Sequence, residues 1–279
     1  MSFDSPTEEL GMELDVNISD LEKILHNHTH WEESSKTHGE NHSTSWKDHN
    51  MIALEIRNLL KYIDDGDIVL DAGCSNGFTS FEMIRKKQIS IHGIDYSKTS
   101  IEHAQRRKER EFKDSALTFS HGNLLNLNFD DETFDKVVTV RVVINQPNYE
   151  LQKKAILEVW RVLKPGGTFL MSEAFAGSLR KLNALRNLAN LPAIESPSFN
   201  LYLEEDLIET DFKQHFEIQK ICRFSSIYYV ASRFLRYLTL EKGEEQPYDN
   251  PINNFFRDFE ETSASGDFGV QKLYVLKKK

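Results

Sequence analysis

From Ile68 onward, short apolar runs alternate with stretches in which apolar residues recur at helical spacing. The runs at Ile68–Ala72, Ser90–Asp95, Leu117–His121, Lys136–Arg141 and Thr168–Glu173 read as strands covered on both faces. Helical spacing over Phe78–Lys87, Lys98–Phe112 and Glu150–Leu163 places a helix between successive strands, the pattern of parallel βαβ units. An α/β doubly wound sheet is therefore expected. After Glu173 the alternation ends: helices are predicted over Leu179–Leu191, Leu203–Phe212 and the aromatic stretch Ile227–Leu238. Strands follow at Glu217–Ser225 and Val270–Leu276, the latter as an edge strand. Upstream, Ile18–His26 reads as a short helix capped by Ser19, His26–His49 as a polar loop, and Trp46–Tyr62 as a helix stopped by Asp64-Asp65-Gly66. Residues 1–17 read as a frayed terminus.

The sharpest local signal is Asp71-Ala72-Gly73-Cys74-Ser75-Asn76-Gly77, which joins the first strand to the first helix. Glycines at 73 and 77 allow a left-handed turn and close approach of a ligand to backbone. Its Asp-x-Gly-x-x-x-Gly spacing lacks the third glycine of the dinucleotide fingerprint, so the pyrophosphate signature is missing. The second strand ends in Asp95, 22 positions after Gly73, where a carboxylate can accept both hydroxyls of a ribose. A ligand with a ribose and no diphosphate is implied.

These stretches resemble the class I S-adenosylmethionine-dependent methyltransferases, Rossmann-like enzymes of the small-molecule type. Gly122-Asn123-Leu124, Phe134-Asp135-Lys136-Val137-Val138 and Arg161-Val162-Leu163-Lys164-Pro165-Gly166-Gly167 repeat the family's later motifs in order. The resemblance spans about residues 68–174. It implies S-adenosyl-L-methionine as cofactor, a mostly parallel sheet with an antiparallel last strand, and an N-terminal helical cap. Residues 1–62 would then form a cap or lid and 63–279 the catalytic domain, with a lid insertion at 174–200 and a second insertion at 226–269. Asp71, Gly73, Cys74 and Gly77 would form the cofactor loop, Asp95 would hold the ribose, Tyr96 would lie on the adenine, and Asn123 and Leu124 would bond its edge. Asn123 stands where the family usually has Asp.

Arg141 and Asn145 follow the fourth strand, at the sheet edge that faces the transferred methyl in the resembled fold, and are candidates to hold the acceptor. Glu173, ending the fifth strand at the same edge, is the expected general base, with His42 and His49 of the polar loop as competitors. Asn183 and Arg186, spaced i and i+3 on the lid helix, could grip the acceptor. Six histidines between 26 and 49 would suggest a metal, but no cysteine accompanies them and no zinc spacing appears, so none is assigned.

Composition narrows the acceptor. The formal net charge of −10 gives no basic footprint for nucleic acid, and no apolar run is long enough to span a bilayer. Two cysteines make no disulfide framework, which fits a cytoplasmic protein. The expected activity is methyl transfer to oxygen or nitrogen of a small polar metabolite, a sugar included, with a homodimer left open. A nicotinamide-dependent oxidoreductase and a non-catalytic S-adenosylmethionine-binding protein are the alternatives.

Overall fold

A computed structural model describes residues 18–239, 247–259 and 265–279. Its centre is a seven-stranded sheet of order β3-β2-β1-β4-β5-β7-β6. Strands β1 (Ile68–Ala72), β2 (Ser90–Asp95), β3 (Leu117–His121), β4 (Phe134–Val140) and β5 (Leu163–Ala174) are all parallel. The last two, β6 (Phe216–Cys222) and β7 (Gln271–Lys278), pair antiparallel, as does β7 with β5. Chain direction along the sheet reverses between β1 and β4, so a crevice opens beyond the carboxyl ends of those strands.

The closing strand is not at the edge. β7 is buried over Gln271–Leu276 and lies between β5 and β6, whereas β6 turns Glu217, Ile218 and Lys220 to solvent and forms the border. β5 starts earlier than expected. Leu163 pairs with Phe134 and Thr168 with Lys136, so residues 164–167 bulge from the strand, helped by Gly166 at φ +73°.

A larger departure lies at the N-terminus, where α1 runs over Ile18–His38 instead of stopping at His26. The polar loop is thus mostly helix. It buries little apolar surface and is held by polar bonds: Asp20 accepts from Asn148, Glu32 accepts from Thr99 and Ser100 donates to Ser35. Next, α2 (His49–Leu59) begins with Asp48 capping the Met51 N–H, leaving Trp46 ahead of the helix. Helices α3 (Phe78–Lys86), α4 (Lys98–Glu111) and α5 (Tyr149–Val162) follow their strands nearly as predicted. Beyond β5 come α6 (Ala176–Leu188) and α7 (Glu205–Asp211). The aromatic stretch is one interrupted helix, made of α8 (Ser226–Val230), a π-helical turn (Ala231–Leu235) and α9 (Arg236–Thr239). Later in the chain comes α10 (Pro251–Arg257), which opens with Asn250 capping the Asn253 N–H. The expected frayed terminus lies outside the described residues.

Candidate functional site

At the carboxyl ends of β1, β2 and β4 a cleft opens under α1. One lobe encloses about 570 Å³ between Asn27, Gly73, Asp95, Tyr96, Leu124 and Asn145. The other, about 480 Å³, adds Trp31, Ser75 and Arg141. Both share Gly73, Asp95, Tyr96, Val142 and Asn145, which makes them one continuous site.

The glycine turn sets the floor. Gly73 sits at φ +84°, and a Cβ there would lie 2.2 Å from Val142 Cγ2. Gly77, at φ +77°, opens α3 against Phe119. Of the predicted loop residues only Gly73 lines the cleft. Asp71 is buried, and its carboxylate accepts from the Ser80 hydroxyl, tying β1 to α3; burial raises its pKa to about 6. Cys74 is also turned inward, and burial, then Asp71 nearby, pushes its thiol up. The Gly73 and Cys74 N–H groups both donate to the Ile94 carbonyl at 2.8 Å.

Asp95 holds two backbone donors, Ser75 N–H and Ser97 N–H, at 2.8 Å each. A carboxylate has about four acceptor positions, and the Tyr96 N–H acts on this one as a third backbone donor. Burial raises its pKa to about 6. Tyr96 lines both lobes with its ring 5.3 Å from that of His28. Asn123 and Leu124 line the first lobe, and Asn123 Oδ1 already accepts from the Leu125 N–H.

The acceptor side is built differently from the expectation. Arg141 adopts φ +58°, its guanidinium stacks 4.7 Å from the Trp46 ring, and its Nε lies 3.3 Å from a carboxylate oxygen of buried Glu55. Burial, partly offset by Arg141, raises the Glu55 pKa. Asn145 spends its side chain on Asn200, and its carbonyl accepts from Asn27. Glu173 is fully buried, with Oε1 accepting from the Val142 and Val143 N–H groups at 3.1 Å and Oε2 from Ile144 at 3.3 Å. Burial, against those bonds, raises its pKa to about 7. It braces the 142–144 turn from behind and lines neither lobe of the cleft, so the expected base is engaged with backbone in this structure.

The other candidates also lie elsewhere. His42 and His49, ring centroids 5.9 Å apart, line a separate groove between α2 and α3. Asn183 exchanges bonds with Ile194, and Arg186 donates to the carbonyls of Pro192 and Arg233, so both fasten the segment after α6 instead of gripping an acceptor. What the sequence reading missed is the α1 wall: Ile24, Asn27 and Trp31 fall at i, i+3 and i+7, a one-face helical spacing hidden by the surrounding histidines. A buried pair, Asp48 and Arg233, 2.7 Å apart, was also missed; it joins the start of α2 to the π-helical turn.

Residues 63–226 match the methyltransferase domain family. The sterol 24-C-methyltransferase of Kluyveromyces lactis is 32% identical over 111 residues, 40% of this chain and 29% of that protein. Its counterpart in Schizosaccharomyces pombe is 27% identical over 168 residues, covering 53% of this chain and 44% of that protein. The chain thus matches less than half the length of either relative. Among solved structures, the Haemonchus contortus phosphoethanolamine N-methyltransferase 1, in complex with phosphoethanolamine and S-adenosylhomocysteine, superposes with TM-score 0.64 at 13% identity. That match covers 96% of this chain and 51% of the other. The [4+2]-cyclase SpnF superposes with TM-score 0.53 at 20% identity over 81% of each chain. At these identities the likeness is one of fold.

Proposed function

Since the chain belongs to the methyltransferase domain family, we propose that it binds S-adenosylmethionine in the cleft and transfers the methyl group to a nitrogen of a small polar acceptor. The cofactor, when bound, supplies a methyl carbon made electrophilic by its sulfonium. The observation that carries this reading is Asp95, which ends β2 and lines both lobes of the cleft. A ribose needs such an acceptor, and the absent Cβ of Gly73 leaves room for close contact beside it.

The chain's own residues supply position and dryness. Asp95 orients the ribose, Leu124 and Tyr96 offer an N–H and a ring face for the base, and Arg141 directs the acceptor from the second lobe. Asn27 closes the cleft from above by donating to the Asn145 and Phe199 carbonyls at 2.8 and 3.1 Å. Nitrogen is favoured over oxygen by what surrounds Arg141. The titratable side chains lining the two lobes are Asp95, Tyr96 and Arg141, and the first two belong to the nucleoside side. A hydroxyl acceptor, sugars included, benefits from a general base. An amine entering neutral does not need one.

Calorimetry with S-adenosylhomocysteine and NAD tests the cofactor, and methyl release from labelled S-adenosylmethionine with pooled amines or pooled sugars tests the acceptor. S-adenosylhomocysteine binding with amine-dependent turnover is expected. NAD binding would revive the oxidoreductase reading, and binding without turnover on either pool would favour a non-catalytic role.

A further inference from the structure

His42 and His49, which the reaction does not use, belong to a groove of about 1,220 Å³ between α2 and α3. None of its lining residues lines either lobe of the cleft. Its floor is apolar. Ile52, Ile56 and Leu60 follow one another at four-residue spacing along α2 and the turn that ends it, with Phe78 opposite at the start of α3. From Ile52 to Leu60 that floor covers eight residue steps, roughly 12 Å at helical rise.

The rim carries the opposite character. Arg57, Lys61 and Lys86 stand around it together with the two imidazoles. The one carboxylate in the lining, Glu82, is paired with Arg85. On a chain whose net charge is −10, this gathers cations around an apolar trough. A wholly apolar guest would leave the rim unmatched, and a cationic one would be repelled.

We infer that this groove is a second binding site, for one anionic amphiphile: a soluble long-chain carboxylate whose tail lies on Ile52, Ile56, Leu60 and Phe78 and whose head meets Lys61 and Lys86. Burial of the tail supplies the drive, and the lysines set the orientation and exclude cationic tails. The site is independent of the methyl-transfer reading, since it shares no lining residue with the cleft.

The test is calorimetric titration of the full chain with laurate below its aggregation concentration, and with dodecyltrimethylammonium as a probe of equal tail and opposite charge. Laurate should bind, and the cationic probe should not. Ala53→Trp, which grows a ring into the groove from an exposed position of α2, should weaken laurate at least ~10-fold, as should Lys61→Glu with Lys86→Glu. Affinity for S-adenosylhomocysteine should stay unchanged in both variants, reporting an intact fold. Absence of laurate binding, equal binding of the cationic probe, or laurate affinity unaltered in both variants would overturn the site. Binding seen only with anionic vesicles would also overturn it, in favour of a membrane surface.

Discussion

Glu173→Gln separates a base from a brace. In the wild type one carboxylate accepts three backbone N–H groups inside the core, at 3.1, 3.1 and 3.3 Å. Glutamine keeps one oxygen and replaces the other with an amino group, so Ile144 N–H, or the Val142 and Val143 pair, would face a donor. Orphaning one buried donor costs about 1–3 kcal/mol, and losing charge assistance in the remaining bonds adds to it. For a chain of this size that lowers Tm by roughly 2–4 °C per kcal/mol. Thermal unfolding should therefore show a clear loss, and kcat should fall only as far as the 142–145 turn loosens. The pH dependence of stability gives a second readout. Because the folded-state pKa of Glu173 is raised to about 7, above the ordinary carboxyl value, the folded protein holds the proton more tightly than the unfolded chain. That contribution is complete below the unfolded pKa and is lost as pH rises through about 7. The drop in Tm between pH 5 and pH 7.5 should be smaller in Glu173→Gln. An unchanged Tm, with kcat lowered at least ~10²-fold and one limb of its pH profile missing, would restore Glu173 as the general base and refute the brace.

Asp95→Ala should weaken S-adenosylhomocysteine by about 1–3 kcal/mol in calorimetry, because ribose hydroxyls lose a charged acceptor; unaltered affinity would remove Asp95 from the site. Gly73→Ala should destabilise by about 1–3 kcal/mol in urea melts, since the new methyl meets Val142 at positive φ. Arg141→Met leaves the buried Glu55 carboxylate without its cation and should cost about 3–5 kcal/mol, and adding Glu55→Gln should recover part of that loss; identical stability of the single and double variants would mean the pair is not coupled.

The sheet was legible because both-face burial imposes continuous apolar runs, and β1, β2 and β3 begin and end where those runs do. The glycine turn was legible because positive φ and close packing demand glycine at 73 and 77. The part of α1 beyond His26 was not, because it is held by side-chain bonds to Thr99, Ser100 and Asn145. Glu173 was misjudged for a related reason. Its position at the strand end was right, but a sequence does not say whether a carboxylate at a sheet edge faces the ligand or the turn that frames it. The place of β7 was not legible, because an apolar run does not say which strands flank it; β7 is paired on both sides, with β5 and β6.

The acceptor side follows from residues that the family match does not cover. Asp48 and Glu55 are seven residues apart at the start and middle of α2, close to two helical turns, so they lie on one face. Each holds an arginine from a different part of the chain, Asp48 the Arg233 of the π-helical turn and Glu55 the Arg141 at the end of β4. Tyr228 donates to Asp48 as well, and Tyr202 feels both arginines, so the cap helix, the sheet edge and the late insertion form one polar layer behind the second lobe. Neither acid is reachable by solvent, so removing either would leave a half-buried arginine without its partner. The guanidinium of Arg141 is therefore held by α2, outside the 63–226 match, while its backbone N–H is fixed on Ser172 within that match. On the proposed methyl-transfer reading, acceptor choice should track Asp48, Glu55 and Arg233.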